Sequence, residues 1–421
     1  MVAAQWVLLL CALATALGRL VTIHNDLPRL DVEGNIIDCH SGMILPVNNL
    51  FYMYGERYTN STGFGPSPPQ LFPKIVVYTS PDLMAWTYHG EVLADWPTKP
   101  YGTFFTPWAV YDKSTSTFVL WFNAYLHGCC SGDWGVATSQ DGVHFTLQTT
   151  SMTGQYAVVD CNALFVDDDG AAYMLYTSEA QDHKLSIEVL ASNYSAVVPG
   201  KNKGLFPDRY VEGAVLFKRG DTYYMSEGSC CCFCRGGAGG ESTTAPFYLL
   251  RACFCAPPTN PPATPPHHHH HPHTPKVVVY KSKSLDGPWV RQPLDLNCNR
   301  TDAGDVCGAF GDRNHDPIRI QAQGIGMSLI PLADGSTAYL WHGERWLSAP
   351  FNNPTCDNEC APCNEDARYV KGHSFSYWIP LQFNSSSGDV LPFADFSDSF
   401  TLDIADSFGT EHLPGPAAAA A

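Results

Sequence analysis

The stretch Ala163-Leu-Phe-Val-Asp-Asp-Asp-Gly-Ala-Ala-Tyr-Met-Leu-Tyr-Thr177 decides how this chain is read. Two apolar runs flank Asp-Asp-Asp-Gly, a turn composition, and the second run is aromatic, so the segment is a β-hairpin. The aromatic run recurs as Leu50-Phe-Tyr-Met-Tyr-Gly-Glu56, Thr117-Phe-Val-Leu-Trp-Phe122, Thr222-Tyr-Tyr-Met-Ser226 and Thr337-Ala-Tyr-Leu-Trp-His342. Ala214-Val-Leu-Phe-Lys-Arg-Gly-Asp221 enters its copy through the same strand-and-turn. A second motif follows several copies: Val77-Tyr-Thr-Ser-Pro-Asp-Leu-Met-Ala-Trp86, Val136-Ala-Thr-Ser-Gln-Asp-Gly-Val-His-Phe145 and Val279-Tyr-Lys-Ser-Lys-Ser-Leu-Asp-Gly-Pro-Trp289. These are outer strands joined by a turn that buries an aromatic residue, and two hairpins make a four-stranded sheet. Five such repeats with no helical pattern between them predict an all-β, five-bladed β-propeller, in which radial closure protects the strand edges. A β-sandwich with irregular loops fits the long recurrent spacing less well.

Spacing stays similar from Tyr52 through Phe118 and Tyr173 to Tyr223, then doubles before Tyr339. The gap holds Cys230-Cys231-Cys232-Phe-Cys234, a Gly-rich run, a Pro-rich run and His267 to His271. This composition has little apolar surface to bury, so about 230–275 reads as a low-complexity insertion. The propeller domain is expected over 19–406 and a disordered tail over 407–421. Residues 1–18 are apolar and end in small residues before Arg19, as a secretory signal peptide does. No later run is long and apolar enough to span a membrane. Sixteen cysteines suit an oxidising compartment, and the absence of regular CxxC…CxxC spacing favours disulfides over zinc. Asn60, Asn193, Asn299 and Asn384 open glycosylation sequons. With 41 acidic against 24 basic residues and a formal charge of −17, the chain has the wrong sign to grip a phosphate backbone, and nucleic acid is excluded as a partner.

Chemistry-bearing residues stand where the innermost strands begin: Asp38-Cys-His40, Asp160-Cys-Asn, Glu212-Gly-Ala and Gln321-Ala-Gln323. Polar groups repeated at that position converge at one end of a central channel. Such convergence suits glycosidic cleavage, which needs one protonated carboxyl for the leaving oxygen and a second group to orient water. Glu212 fits a general acid beside Asp160; equally, a Glu at a strand end can serve backbone donors. Asp167-Asp-Asp-Gly170 lacks the spaced ligands of a calcium loop and reads as a hairpin turn. Neither a GxSxG elbow nor a phosphate-cradling loop occurs in a fitting context.

Six segments carry a family likeness. Asp31-Val-Glu-Gly-Asn-Ile-Ile-Asp-Cys-His-Ser-Gly-Met-Ile-Leu45 followed by Phe51-Tyr-Met-Tyr-Gly-Glu56 resembles the opening of glycoside hydrolase family 43, in its exo-β-1,3-galactanase branch. Val159 to Glu179, Val211 to Tyr224, Gly343-Glu-Arg-Trp346 and Tyr377-Trp-Ile-Pro-Leu381 resemble its later blades. The resemblance implies a five-bladed propeller and inverting, exo-acting cleavage of β-1,3-linked galactose chains. It implies Glu212 as general acid, Asp160 orienting it or tuning its proton affinity, and Gln323 beside the hydrolytic water. His40, Glu56, Phe105, Ser229 and Trp346 are then the expected substrate-binding residues, Trp346 offering its face to a sugar ring. No redox or nucleotide cofactor and no catalytic metal is implied; a structural calcium stays open. The expected partner is a polysaccharide or glycoprotein glycan. The branch has Glu-Arg-Pro where this chain has Phe105-Thr106-Pro107, a departure that keeps a galactan-binding propeller without turnover as the rival. An arabinofuranosidase or xylosidase of the same family is the other alternative, since Asp38 lies near the first-blade position held by His40.

Overall fold

The structure, a computed structural model, describes residues 18–58, 74–93, 103–125, 132–157, 159–209, 211–229, 277–297, 320, 322–345, 348, 372–394 and 396–409. Strand β1 (Gly18–His24) comes first and waits for a partner from the end of the chain. Then come five sheets. Blade 1 is β2 (His40–Val47), β3 (Leu50–Arg57), β4 (Lys74–Ser80) and β5 (Thr87–Glu91). Blade 2 is β6 (Thr103–Asp112), β7 (Thr117–Tyr125), β8 (Gly132–Ser139) and β9 (Thr146–Met152). Blade 3 is β10 (Val159–Val166), β11 (Ala172–Ser178) and β12 (Lys184–Val189). Blade 4 is β13 (Val211–Arg219), β14 (Thr222–Ser229), β15 (Val277–Ser282) and β16 (Val290–Arg291). Blade 5 is β17 (Gln323–Pro331), β18 (Thr337–Arg345) and β19 (Phe375–Pro380), and β20 (Ser399–Ala405) follows. Within the blades every strand pairing is an antiparallel meander, and each recurrent aromatic run is the second strand of its blade.

The three blades with four strands are the three that carry the second motif. In blades 1 and 2 a short acidic side chain of that motif builds the turn that returns the outermost strand: Asp82 Oδ1 accepts from the amides of Met84 and Ala85 at 3.0 and 2.8 Å. Asp141 does the same for Val143 and His144 at 2.9 and 2.8 Å. Trp86 is buried as the motif requires, while Phe145 and Trp289 are only partly covered. Blades 3 and 5 lack the motif and have three strands each among the described residues, so the expectation of uniform four-stranded blades is corrected there.

The first strands β2, β6, β10, β13 and β17 pack side by side in that order, and β17 returns to β2, which closes the ring. The seam between blades 5 and 1 is sealed by both ends of the described chain. β1 pairs along its whole length with β20, from Gly18 opposite Ala405 to His24 opposite Ser399. Val21, Ile23, Leu402 and Ile404 turn inward onto Ile44, Phe51 and Met53 of blade 1 and Ile330, Leu340 and Trp378 of blade 5. Packing continues to Phe408, whose ring lies 4.7 Å from that of Phe51. Residues 1–17, the stretch 230–276 and the cysteine runs at 129–130, 230–234 and 356–363 lie outside the described residues. Gly228 of β14 pairs directly with Val277 of β15 across that stretch. Cys39 is buried with a free thiol.

Candidate active site at the propeller axis

Every innermost strand slips register once, close to its start. The slips fall between His40 and Met43, Phe105 and Trp108, Asp160 and Ala163, Glu212 and Val215, and Gly324 and Gly326. A bulge leaves one residue unpaired, bends the strand and re-aims its side chains. In three blades the unpaired segment holds a left-handed residue: Ser41 at φ 53°, Thr106 at φ 44° and Gly213 at φ 61°. His40, Phe105, Asp160 and Glu212 are the last paired residues before the slip, and Gln323 stands one residue earlier in its strand. Five residues chosen from sequence thus occupy equivalent positions at one end of the ring.

Polar contacts among these positions run the whole way round. Between blades 1 and 2, Glu56 Oε1 accepts from the Thr106 amide at 2.5 Å. Its Oε2 accepts from the Tyr58 hydroxyl. Between blades 2 and 3, Thr106 Oγ1 donates to Asn162 Oδ1 at 3.1 Å, and Asn162 Nδ2 returns a bond to Thr106 O at 2.9 Å. Asn123 Nδ2 donates to Asp160 Oδ1 at 3.3 Å. Thr177 Oγ1 reaches Val211 O at 3.1 Å between blades 3 and 4. Gln323 Nε2 donates to Glu212 Oε1 at 2.5 Å between blades 4 and 5. Between blades 5 and 1, His40 Nδ1 meets Glu344 Oε2 at 2.8 Å, and its Nε2 lies 2.9 Å from Asp38 Oδ1.

Charge is managed inside this circuit. His40 is 1% exposed. Burial opposes a charge on its imidazole, but Glu344 and Asp38 overcome that cost and push its pKa up to about 10. Both ring nitrogens are engaged by carboxylates, so His40 ties blade 1 to blade 5. Glu344 is further held by Ser376 Oγ at 3.0 Å to each oxygen. Glu56 is likewise 1% exposed, and its oxygens serve Tyr58 and Thr106. Phe105 packs against Tyr58 in a small buried cluster. Glu212, 2% exposed, and Gln323 are brought into direct contact. A Cβ on Gly213 would lie 2.0 Å from Gly324 O, so the bulges of blades 4 and 5 approach this closely because Gly213 lacks a side chain.

Ser229 ends β14 opposite Val211, and Trp346 lies outside the described residues. Sequence reading assigned no role to Glu344, Asn123, Thr106 or Asn162. Glu344 pairs across the ladder with Gln323, so counting outward from the Ala333-Asp-Gly335 turn places it level with the site. Asn123 is legible as the polar interruption that follows Phe118-Val-Leu-Trp-Phe122. Asp167-Asp-Asp-Gly170 is the β10–β11 turn, with Lys218 Nζ 2.7 Å from Asp167 Oδ1. Among the described residues no group of three or more His, Cys, Asp or Glu side chains stands together as a metal site, and no helix is long and apolar enough to cross a membrane.

Residues 43–243, a little under half of the chain, match the sequence model of Glycosyl hydrolases family 43. No curated protein matches the chain. Among solved structures, an exo-β-1,3-galactanase from Clostridium thermocellum superposes with a TM-score of 0.61 at 20% identity, over 92% of this chain and 68% of that one. A variant of the exo-β-1,3-galactanase from Phanerochaete chrysosporium, solved with β-1,3-galactotriose, gives 0.61 at 20% identity over 92% and 70%. A family 43 β-1,3-galactosidase with bound galactodeoxynojirimycin gives 0.59 at 19% identity over 89% of this chain and all of that one. At these identities the structural likeness is one of fold.

Proposed function

We propose, from the family 43 match, that this glycoside hydrolase removes terminal galactose from β-1,3-linked galactan chains by a single displacement, after export through the secretory route. The observation that carries the reading is the Glu212–Gln323 pair, two groups from adjacent blades joined at the axis. Glu212 supplies the proton that leaves with the departing glycosidic oxygen. Gln323 holds the water that attacks the anomeric carbon from the opposite face; the proton this water sheds passes to solvent, from which Glu212 regains its own. Inverting enzymes keep these two functions roughly 6.5–9.5 Å apart. A direct contact is shorter than that, so substrate entry breaks the bond and Gln323 swings away from Glu212. Asp160, hydrogen-bonded to Asn123, orients or tunes Glu212 from blade 3. No cofactor takes part in this scheme.

The test is to incubate the protein with β-1,3-galactan and follow released galactose by proton NMR. The α-anomer appearing first supports inversion, and the β-anomer appearing first overturns it. Glu212→Gln should lower turnover by about two to four orders of magnitude with the fold intact; unchanged turnover removes Glu212 from the mechanism. Phe105 favours the second reading, a galactan-binding propeller. Its buried ring stands where a carboxylate was expected, and the nearby carboxylate of Glu56 is committed to Tyr58 and Thr106. Binding of β-1,3-galactotriose with no free galactose decides for it.

A further inference from the structure

We propose that Asn123 is a positioning residue that fixes the Asp160 carboxylate for the reaction; the inference rests on the reading of the axial site just given. Asn123 is 0% exposed. It lies opposite Phe105 in β6 and opposite Trp134 in β8. Its sequence neighbours Phe122 and Ala124 are both buried in the main core. Trp134 beside it packs edge-on against Trp121 and Tyr176, with centroids 5.8 and 4.8 Å away. In that setting an apolar side chain would fill the space.

The amide instead makes one bond, from Nδ2 to Asp160 Oδ1 at 3.3 Å, and its Oδ1 accepts no hydrogen bond. A buried amide with one long bond and an unmet acceptor destabilises the fold relative to an apolar residue of equal size, because desolvation exceeds what the bond returns. Stability therefore gives no reason for an amide here. What the amide does achieve is to hold one oxygen of Asp160 from the blade 2 side, which limits rotation of a carboxylate that is itself only partly buried. In the scheme proposed above Asp160 acts on Glu212, and a carboxylate fixed in one rotation does so without first being ordered in each turnover.

Asn123→Leu separates the two roles, since leucine keeps the number and branching of the side-chain heavy atoms and has no polar group. The unfolding midpoint should stay level or rise. On β-1,3-galactobiose, kcat should fall by about ten- to a hundredfold with KM within about threefold, the pattern of a lost transition-state interaction. Asn123→Asp sets a second carboxylate beside Asp160 and should move the acidic limb of the pH–rate profile upward by about one unit. A lower midpoint with unchanged kcat, or an unmoved acidic limb, overturns the proposal. If the unmodified protein releases no galactose, the hydrolase reading fails and the positioning role falls with it; an active protein whose Asn123→Leu variant keeps its kcat overturns the positioning role alone.

Discussion

Removing the imidazole of His40 is the perturbation whose size follows most directly from the structure. The ring stands between Asp38 and Glu344 at 2.9 and 2.8 Å, and its pKa rises from 6.5 to about 10. A folded-state value above the unfolded one means that the stabilisation is complete below pH 6.5 and is lost as pH climbs toward 10. Each unit corresponds to about 1.4 kcal/mol, so the whole shift bounds the contribution at roughly 5 kcal/mol. That agrees with the roughly 3–5 kcal/mol cost of stripping one partner from a buried ion pair. Cys39, next in sequence, has its thiol pKa raised by burial, with Glu344 and Asp38 adding to the shift, so it also withdraws stability once pH passes the ordinary thiol range. The clean window for His40 is therefore about pH 6.5 to 8.5, where its contribution should fall by on the order of 2.5 kcal/mol. The assay is urea unfolding of the unmodified protein and His40→Gln at half-unit steps across that window. His40→Gln should be less stable by several kcal/mol at pH 6.5, and the gap should narrow steadily toward pH 8.5. Parallel curves, or a gap under about 1 kcal/mol at pH 6.5, would show that the imidazole is not held as a cation and would refute the reasoning.

Gly213→Ala places a methyl group 2.0 Å from Gly324 O at a backbone φ of 61°; unfolding and galactose-release assays should show a loss of at least about 2 kcal/mol together with a sharp drop in turnover. Ile23→Ala empties part of the β1–β20 clamp, where Ile23 is 1% exposed, and should cost about 2–4 kcal/mol in urea unfolding without changing the pH–rate profile. Lys218→Met removes the cation that helps hold the Asp167 carboxyl below its ordinary range; burial opposes that lowering, and the bonds from Lys218 and Tyr223 outweigh it. Because a depressed carboxylate stabilises above its unfolded pKa, the expected loss of under about 1 kcal/mol at neutral pH should vanish as acid titration protonates Asp167.

Strand order was legible because it is local. The Asp-Asp-Asp-Gly turn, the aromatic second strands and the Ser-Pro-Asp or Ser-Gln-Asp turns each lie within a few residues of what they specify, so five blades could be counted from the chain alone. The positions of His40, Asp160, Glu212 and Gln323 were legible for the same reason, since each begins an apolar run. What those residues touch was not legible. His40 meets Glu344, and Gln323 meets Glu212, only after the ring has closed. That closure brings β17 onto β2, and β1 seals it by pairing with β20 across nearly the whole length of the described chain. The bulges that re-aim each strand leave little trace in sequence, apart from Gly213, and Asn123 looks like an imperfect strand residue until its one bond to Asp160 is seen. Sequence by itself determined the repeating sheet and the rank of polar residues at its mouth, through turn chemistry and alternating burial. Tertiary structure alone decided which of them became partners, because contacts between blades are set by radial packing, and radial packing has no period along the chain.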